Sequence, residues 1–146
     1  MKRLFYIANC IFILLFVSGV YPQPTAKKEL ILEGNSLFTY EEIIEYAELK
    51  NTVSLNYNSV SQKILKFYKE NGYTLAKTHL IEDSPLKLII YINEGRLAKI
   101  IVKGLNNYYS LKVKQIIDFP ERVYNVEVER ENIEKIEKKY GFKVTT

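Results

Sequence analysis

The sequence predicts an α+β protein: a three-stranded sheet packed on two helices in the order β-α-α-β-β, followed by an incomplete second copy of the same pattern. Three observations carry this. Short β-prone runs alternate with amphipathic helical stretches, the helical stretches twice end in a Gly-aromatic pair, and the whole pattern restarts after about 70 residues, with Gly34 and Gly104 70 apart and Gly72 and Gly141 69 apart.

Taken in order, "ELILEG" at 29–34 sets Leu30 and Leu32 against Ile31 and Glu33 and stops at Gly34-Asn35, which predicts a strand. "TYEEIIEYAEL" predicts a short helix with Thr39 as N-cap, Glu42 completing a capping box, and Tyr40, Ile43, Ile44 and Ala47 on one face. A second helix is predicted from Asn58 or Ser59, where Ser59-x-x-Gln62 offers another box. Its stripe is Val60, Ile64, Phe67, Tyr68 and Asn71, and it ends at Gly72. Gly72 can take the left-handed conformation that closes a helix, and Tyr73 can fold back on the last turn. Residues 74–83 then read as a strand of mixed polarity suited to an edge, "DSP" as a turn, and "LKLIIYIN" at 86–93 as a central strand. Strand alternation and helix stripe agree on a core of Leu30, Leu32, Ile43, Ala47, Ile64, Phe67, Ala76, Leu88, Ile90 and Ile92.

The restart is read the same way. "AKIIVKG" at 98–104 mirrors "ELILEG" and predicts a strand, "YSLKVKQII" a first helix with Val113, Ile116 and Ile117, and "VERENIEKIEKKYGF" a second with Ile133, Ile136 and Tyr140 before Gly141-Phe142. The second copy has no hairpin. The sequence therefore divides into a leader with its cleavage region at 1–22, a linker at 23–28, a first unit at 29–95 and a partial second unit at 96–146.

The leader places Lys2 and Arg3 before the apolar run "LFYIANCIFILLFV", and Ser18, Gly19 and Pro22-Gln23-Pro24 follow, the pattern of a secretory signal peptide. A retained membrane anchor is the rival reading, although the run is shorter than the about 20 apolar residues of a span and contains Asn9. Cys10 sits inside the apolar run without a lipoprotein context, so the mature chain has no cysteine and neither disulfides nor thiolate chemistry.

Charge and side-chain inventory exclude several functions. The formal net charge is +4, from 21 Lys and Arg against 17 Asp and Glu, and loss of Lys2 and Arg3 lowers it further. Charges are mixed through runs such as "ERENIEKIEKK", which fits a solvated helix face and not a nucleic-acid patch. No enzyme is expected. His79 is the single histidine and has no cysteine or second histidine to share a triad or metal site; Glu41 and Glu42 start a helix, where capping explains Glu42. "GNS" and "GLNN" lack the glycine-rich loop and lysine of phosphate binders, and no cofactor is expected. Glu94-Gly95 reads as a turn joining the two units.

The β-α-α-β-β order, Gly34-Asn35 after the first strand, "FYKENGYTLAK" at the helix-to-strand junction and "IYINEGRLAKIIVKGLNN" between units together resemble tandem POTRA domains, the periplasmic modules of Omp85-type outer-membrane proteins and two-partner secretion transporters. The resemblance covers about residues 29–146 and rests on the joint occurrence of Tyr68, Gly72-Tyr73-x-x-Ala76, Glu94-Gly95 and Gly104 at their spacings. The second unit departs from the first in carrying Leu105 where the first has Asn35. Full members carry a C-terminal β-barrel, so the resemblance implies the N-terminal part of a longer protein or a truncated product. It also implies an exported module at the periplasmic face of the outer membrane that receives unfolded outer-membrane or secreted polypeptides, with a barrel and accessory periplasmic proteins as further partners and no nucleic acid. Related alternatives are a two-partner secretion pair serving one dedicated client and an anchored division-type scaffold. The mechanism implied is β-augmentation on the strand at 74–82, the outer member of a sheet whose first and third strands pair in parallel, with Leu75, Lys77, His79 and Ile81 reading the client's side chains.

Overall fold

The computed structural model describes residues 28–50 and 55–146. The leader, and the linker apart from Lys28, lie outside the described residues. The chain runs β1 (Glu29–Glu33), α1 (Tyr40–Tyr46), α2 (Tyr57–Glu70), β2 (Lys77–Asp83), β3 (Lys87–Asn93), α3 (Asn107–Ile116), a 3-10 turn at Pro120–Arg122 and α4 (Val126–Tyr140).

The sheet has the order β1-β3-β2. β1 lies parallel to β3 with Leu30 beside Leu88 and Leu32 beside Ile90, and β2 lies antiparallel to it with Thr78 beside Ile92 and His79 beside Tyr91. Period-two alternation sends Leu88, Ile90 and Ile92 to the helix side, where they are fully buried against Val60, Ile64 and Tyr68 of α2 and Ile43 of α1. Of the expected core, Leu32 and Ala76 are only half-buried at its margin, whereas Leu49, Val60 and Tyr68 belong inside it. Phe67 anchors an aromatic cluster, with the Phe38 ring 4.7 Å away edge-on and the Tyr46 ring stacked at 5.6 Å.

Helix ends follow local chemistry. Thr39 caps α1, and its capping box with Glu42 is complete in both directions. The second helix starts earlier than expected: Asn56 is the N-cap, its side chain accepting the Ser59 N–H, so the box at Ser59 and Gln62 lies inside the first turn. At the other end the Tyr73 N–H donates to the Tyr68 carbonyl (2.9 Å) and the Gly72 N–H to the Lys69 carbonyl (3.0 Å), a Schellman closure with Gly72 at φ 85°.

Two expectations are corrected. The strand at 74–83 begins only at Lys77, because Thr74 and Leu75 form a turn, and a β-bulge between Leu80 and Glu82 leaves Ile81 without a partner on β3. The strand expected at 98–104 does not form. Alternating apolar residues are present there, but no described segment offers a second ladder, and an isolated extended segment leaves its backbone groups unpaired. One antiparallel bridge, Arg96 with Val123, stands in its place.

The two helices expected beyond residue 104 form, each starting two residues earlier than expected, and Ile117 lies outside the first of them as its extended C-cap. Asn106 caps α3, Asn125 caps α4, and Gly141 ends α4 at φ 70° with its N–H on the Glu137 carbonyl. Phe142 then stacks on Tyr140 and meets Tyr109 edge-on, as Tyr73 meets Phe38 in the first unit. With no strand over them among the described residues, α3 and α4 leave an open groove of about 670 Å3 lined by Ile100, Val102, Val113, Ile133, Ile136 and Phe142.

Candidate functional site

A sheet edge is chemically an array of backbone donors and acceptors, so the site begins with which groups β2 turns outward. The Ser84 N–H donates to the Lys87 carbonyl at 2.8 Å at the hairpin turn, and the ladder alternates from there. With the bulge counted, Thr78 and Leu80 direct their N–H and C=O groups away from β3. The Thr78 carbonyl has the same phase: it accepts the Tyr57 hydroxyl at 3.0 Å. The Thr78 hydroxyl pairs with Ser61, Oγ to Oγ1 at 2.5 Å, and the Tyr57 hydroxyl lies 3.5 Å from the same Oγ1.

The residues expected to read a client are not one row. Lys77 and His79 lie on the strand, on the sheet face that carries Tyr91, with the His79 and Tyr91 rings 6.4 Å apart. Ile81 is the bulged residue, and Leu75 lies outside the strand against Gly95, where an added Cβ would come within 2.7 Å of the Leu75 Cβ. Leu80, Ile81 and Leu86 are exposed together along the hairpin, which gives the edge an apolar flank. β1 is the sheet's other edge, and there the Leu30 carbonyl accepts the Tyr40 hydroxyl at 3.2 Å. Burial, with Glu29 and Glu41 nearby, raises the Tyr40 phenol above its ordinary value, so it stays protonated and remains a donor.

Behind the edge, Glu94 does more than link the units. It is buried, 3% exposed, and its carboxylate accepts the Ser36 N–H and the Leu37 N–H, each at 2.9 Å, the Ser36 hydroxyl at 2.5 Å and the Tyr68 hydroxyl at 3.0 Å. A carboxylate in this position ties the loop after β1 to the middle of the core, and the bonds it accepts satisfy donors that would otherwise be stranded. Burial and the adjacent Glu94 charge drive the Tyr68 phenol far up, so it remains a donor. Gly34 is required next to this network, since a Cβ there would sit 2.4 Å from the Ile92 carbonyl oxygen.

The two units meet at the end of α2. Asn125 Oδ1 caps α4 through the Glu127 and Val128 N–H groups while its Nδ2 donates to the Asn71 carbonyl at 2.9 Å. The Val126 N–H donates to the Gly72 carbonyl at 3.0 Å and the Tyr124 N–H to the Gly95 carbonyl at 3.2 Å. The roles of Glu94, Asn125 and Tyr57 were not read from the sequence. A signal for Asn125 existed: Asn56 and Asn125 stand 69 apart, the spacing of Gly72 and Gly141.

Among the described residues no group of three or more His, Cys, Asp and Glu is placed to hold a metal. The chemistry on offer is backbone hydrogen bonding beside an apolar flank.

No protein-family model matches the chain, and no curated protein sequence is similar to it. Solved structures are. CdiB from Escherichia coli superposes with a TM-score of 0.64 at 20% identity, over 88% of this chain and 25% of that one. The N-terminal domain of Omp85 from the thermophilic cyanobacterium Thermosynechococcus elongatus superposes with a TM-score of 0.57 at 17% identity, over 78% of this chain and 55% of that one. The chain thus spans a quarter of the first structure and about half of the second. At these identities the likeness is one of fold, and with the β1-β3-β2 mixed sheet on two helices it establishes that this chain has a POTRA-type α+β fold.

Proposed function

We propose that this chain is a periplasmic polypeptide-binding and scaffold module of an outer-membrane protein assembly or translocation machine, and that it takes extended client chains by strand addition to β2. The observation that supports this reading best is the β2 edge itself: Thr78 and Leu80 turn backbone groups outward beside exposed Leu80 and Ile81. Backbone pairing of this kind gives affinity largely independent of sequence, which suits a receiver of many unfolded chains. In this reading the partners are unfolded outer-membrane or secreted polypeptides, a β-barrel and accessory periplasmic proteins. In this reading residues 29–95 are one unit, and residues 96–146 carry the helix pair of a second.

A second reading is favoured by the bulge at Ile81. A regular edge accepts any strand, whereas a twisted, interrupted edge fits a client shaped to it, as expected of a module serving one dedicated exported protein.

The test is Leu80→Pro. Proline keeps the strand extended and deletes a donor that β3 does not use. Circular dichroism should show an unchanged fold, and affinity for an unfolded outer-membrane polypeptide should fall about fivefold or more, the loss of at least one backbone hydrogen bond. A folded variant with unchanged affinity would sink strand addition at this edge.

A further inference from the structure

We propose that Tyr57 is a displaceable cap on the binding edge: its hydroxyl holds the outward Thr78 carbonyl when the edge is empty, and a client backbone N–H must take that acceptor for pairing to extend past Leu80. The proposal rests on the strand-addition reading and adds a specificity-determining residue to it. Tyr57 is the first residue of α2 and is half-buried, its ring packed against the margin of the core. A hydroxyl that reaches a carbonyl pointing out of the sheet lies where the neighbouring strand of a longer sheet would run. The bulge interrupts the edge on the other side of Leu80, so a capped edge offers Leu80 alone as a regular outward pair between Tyr57 and Ile81. Release of the cap doubles that stretch.

The strand is built to survive the release. Ser61 holds the Thr78 side chain through the 2.5 Å hydroxyl pair, a far closer contact than the 3.5 Å between the Tyr57 hydroxyl and Thr78 Oγ1, and it stays when Tyr57 leaves. Tyr57 therefore competes with the client and does not anchor β2. β1 carries its own control, because Tyr40, also the first residue of its helix, holds the Leu30 carbonyl in the same manner on the opposite edge. The two caps are chemically alike, and only one lies on the edge assigned to the client.

The experiment titrates a labelled 15-residue peptide of alternating valine and threonine into the full chain, Tyr57→Phe and Tyr40→Phe, and follows the Thr78 and Leu80 amides by NMR. Phenylalanine keeps the ring and removes only the hydroxyl. Tyr57→Phe should bind about fivefold tighter, the worth of one further backbone hydrogen bond, and should bring the Thr78 amide into the protected ladder. Tyr40→Phe should bind like the unaltered chain. Equal or weaker binding by Tyr57→Phe, with the peptide still protecting Leu80, would overturn the cap while leaving strand addition intact. Tightening by Tyr40→Phe alone would move the client to β1, and no binding by any of the three would remove strand addition and the cap together.

Discussion

The helix pairs α1–α2 and α3–α4 differ in what covers them. In the first, Ile64 of α2 is fully buried beneath β3; Ile133, 69 residues later at the matching turn of α4, is only half-buried and lines an open groove. The Gly-aromatic endings at Gly72-Tyr73 and Gly141-Phe142 and the Asn56 and Asn125 caps recur. Helices satisfy their own backbone, so α3 and α4 form with little above them. A strand cannot, so 98–104 stays out of any ladder although its residues alternate like those of β1. The difference teaches that the helices here are specified locally and the sheet is specified by its hairpin.

Substitutions can widen or narrow this contrast. The largest effect is expected from Phe67→Ala, which removes the ring at the centre of the first unit's aromatic cluster and should cost about 3–5 kcal/mol by denaturant unfolding. Ile136→Ala, the matching position of α4, should cost about 2 kcal/mol, the low end for such a change, because this buried side chain also lines the groove and its neighbours can relax into the space it leaves. Equal losses would mean that the second unit is packed as fully as the first.

Glu94→Ala should follow at about 3 kcal/mol, since it strands the Tyr68 hydroxyl and two loop N–H groups near the core. A loss under about 1 kcal/mol would reduce Glu94 to the linker residue that its sequence position suggests. Asn125→Ala should cost about 1–2 kcal/mol, more than Asn56→Ala, because Asn125 caps α4 and also bonds Asn71 across the joint. Identical costs for the two caps would show that the cross-unit bond adds nothing.

The smallest effect belongs to Thr39→Ala, about 1 kcal/mol for a lost N-cap. Its pH dependence carries a sign. The hydrogen bonds from Thr39 hold the Glu42 carboxyl below its ordinary value, so the box stabilises the fold above the unfolded-state value and that stabilisation is lost as pH falls through the folded one. Acid titration of stability should therefore show a step in the unaltered chain that Thr39→Ala, which keeps the Thr39 backbone N–H on Glu42, diminishes and Glu42→Gln removes.

What was legible in the sequence follows the same division between local and distant. The Schellman end at Gly72 and the box at Thr39 are written within six residues each, and both were read. The first-unit strands were legible because Leu88, Ile90 and Ile92 alternate and the "DSP" turn fixes their partner. The start of α2 was displaced because Ser59-x-x-Gln62 carries the same box signature as a true start, while Asn56 closes the turn two residues earlier than Asn58. Glu94 looked like a linker because its partners are Ser36 and Leu37 nearly 60 residues away and Tyr68 on another element. The bulge at Ile81 and the Tyr57 bond depend on how β2 meets β3 and α2, which composition and period do not encode.

Amide hydrogen exchange on the full chain, with and without a client peptide, sets the two regions directly against each other. The empty chain should protect β3 and α2 strongly, leave the outward Leu80 amide fast and leave residues 98–104 fast throughout. Addition of the peptide should slow Leu80 while 98–104 remain fast, placing the client on the β2 edge. Slowing at 98–104 with Leu80 unchanged would place it in the open groove of the second unit and contradict the account.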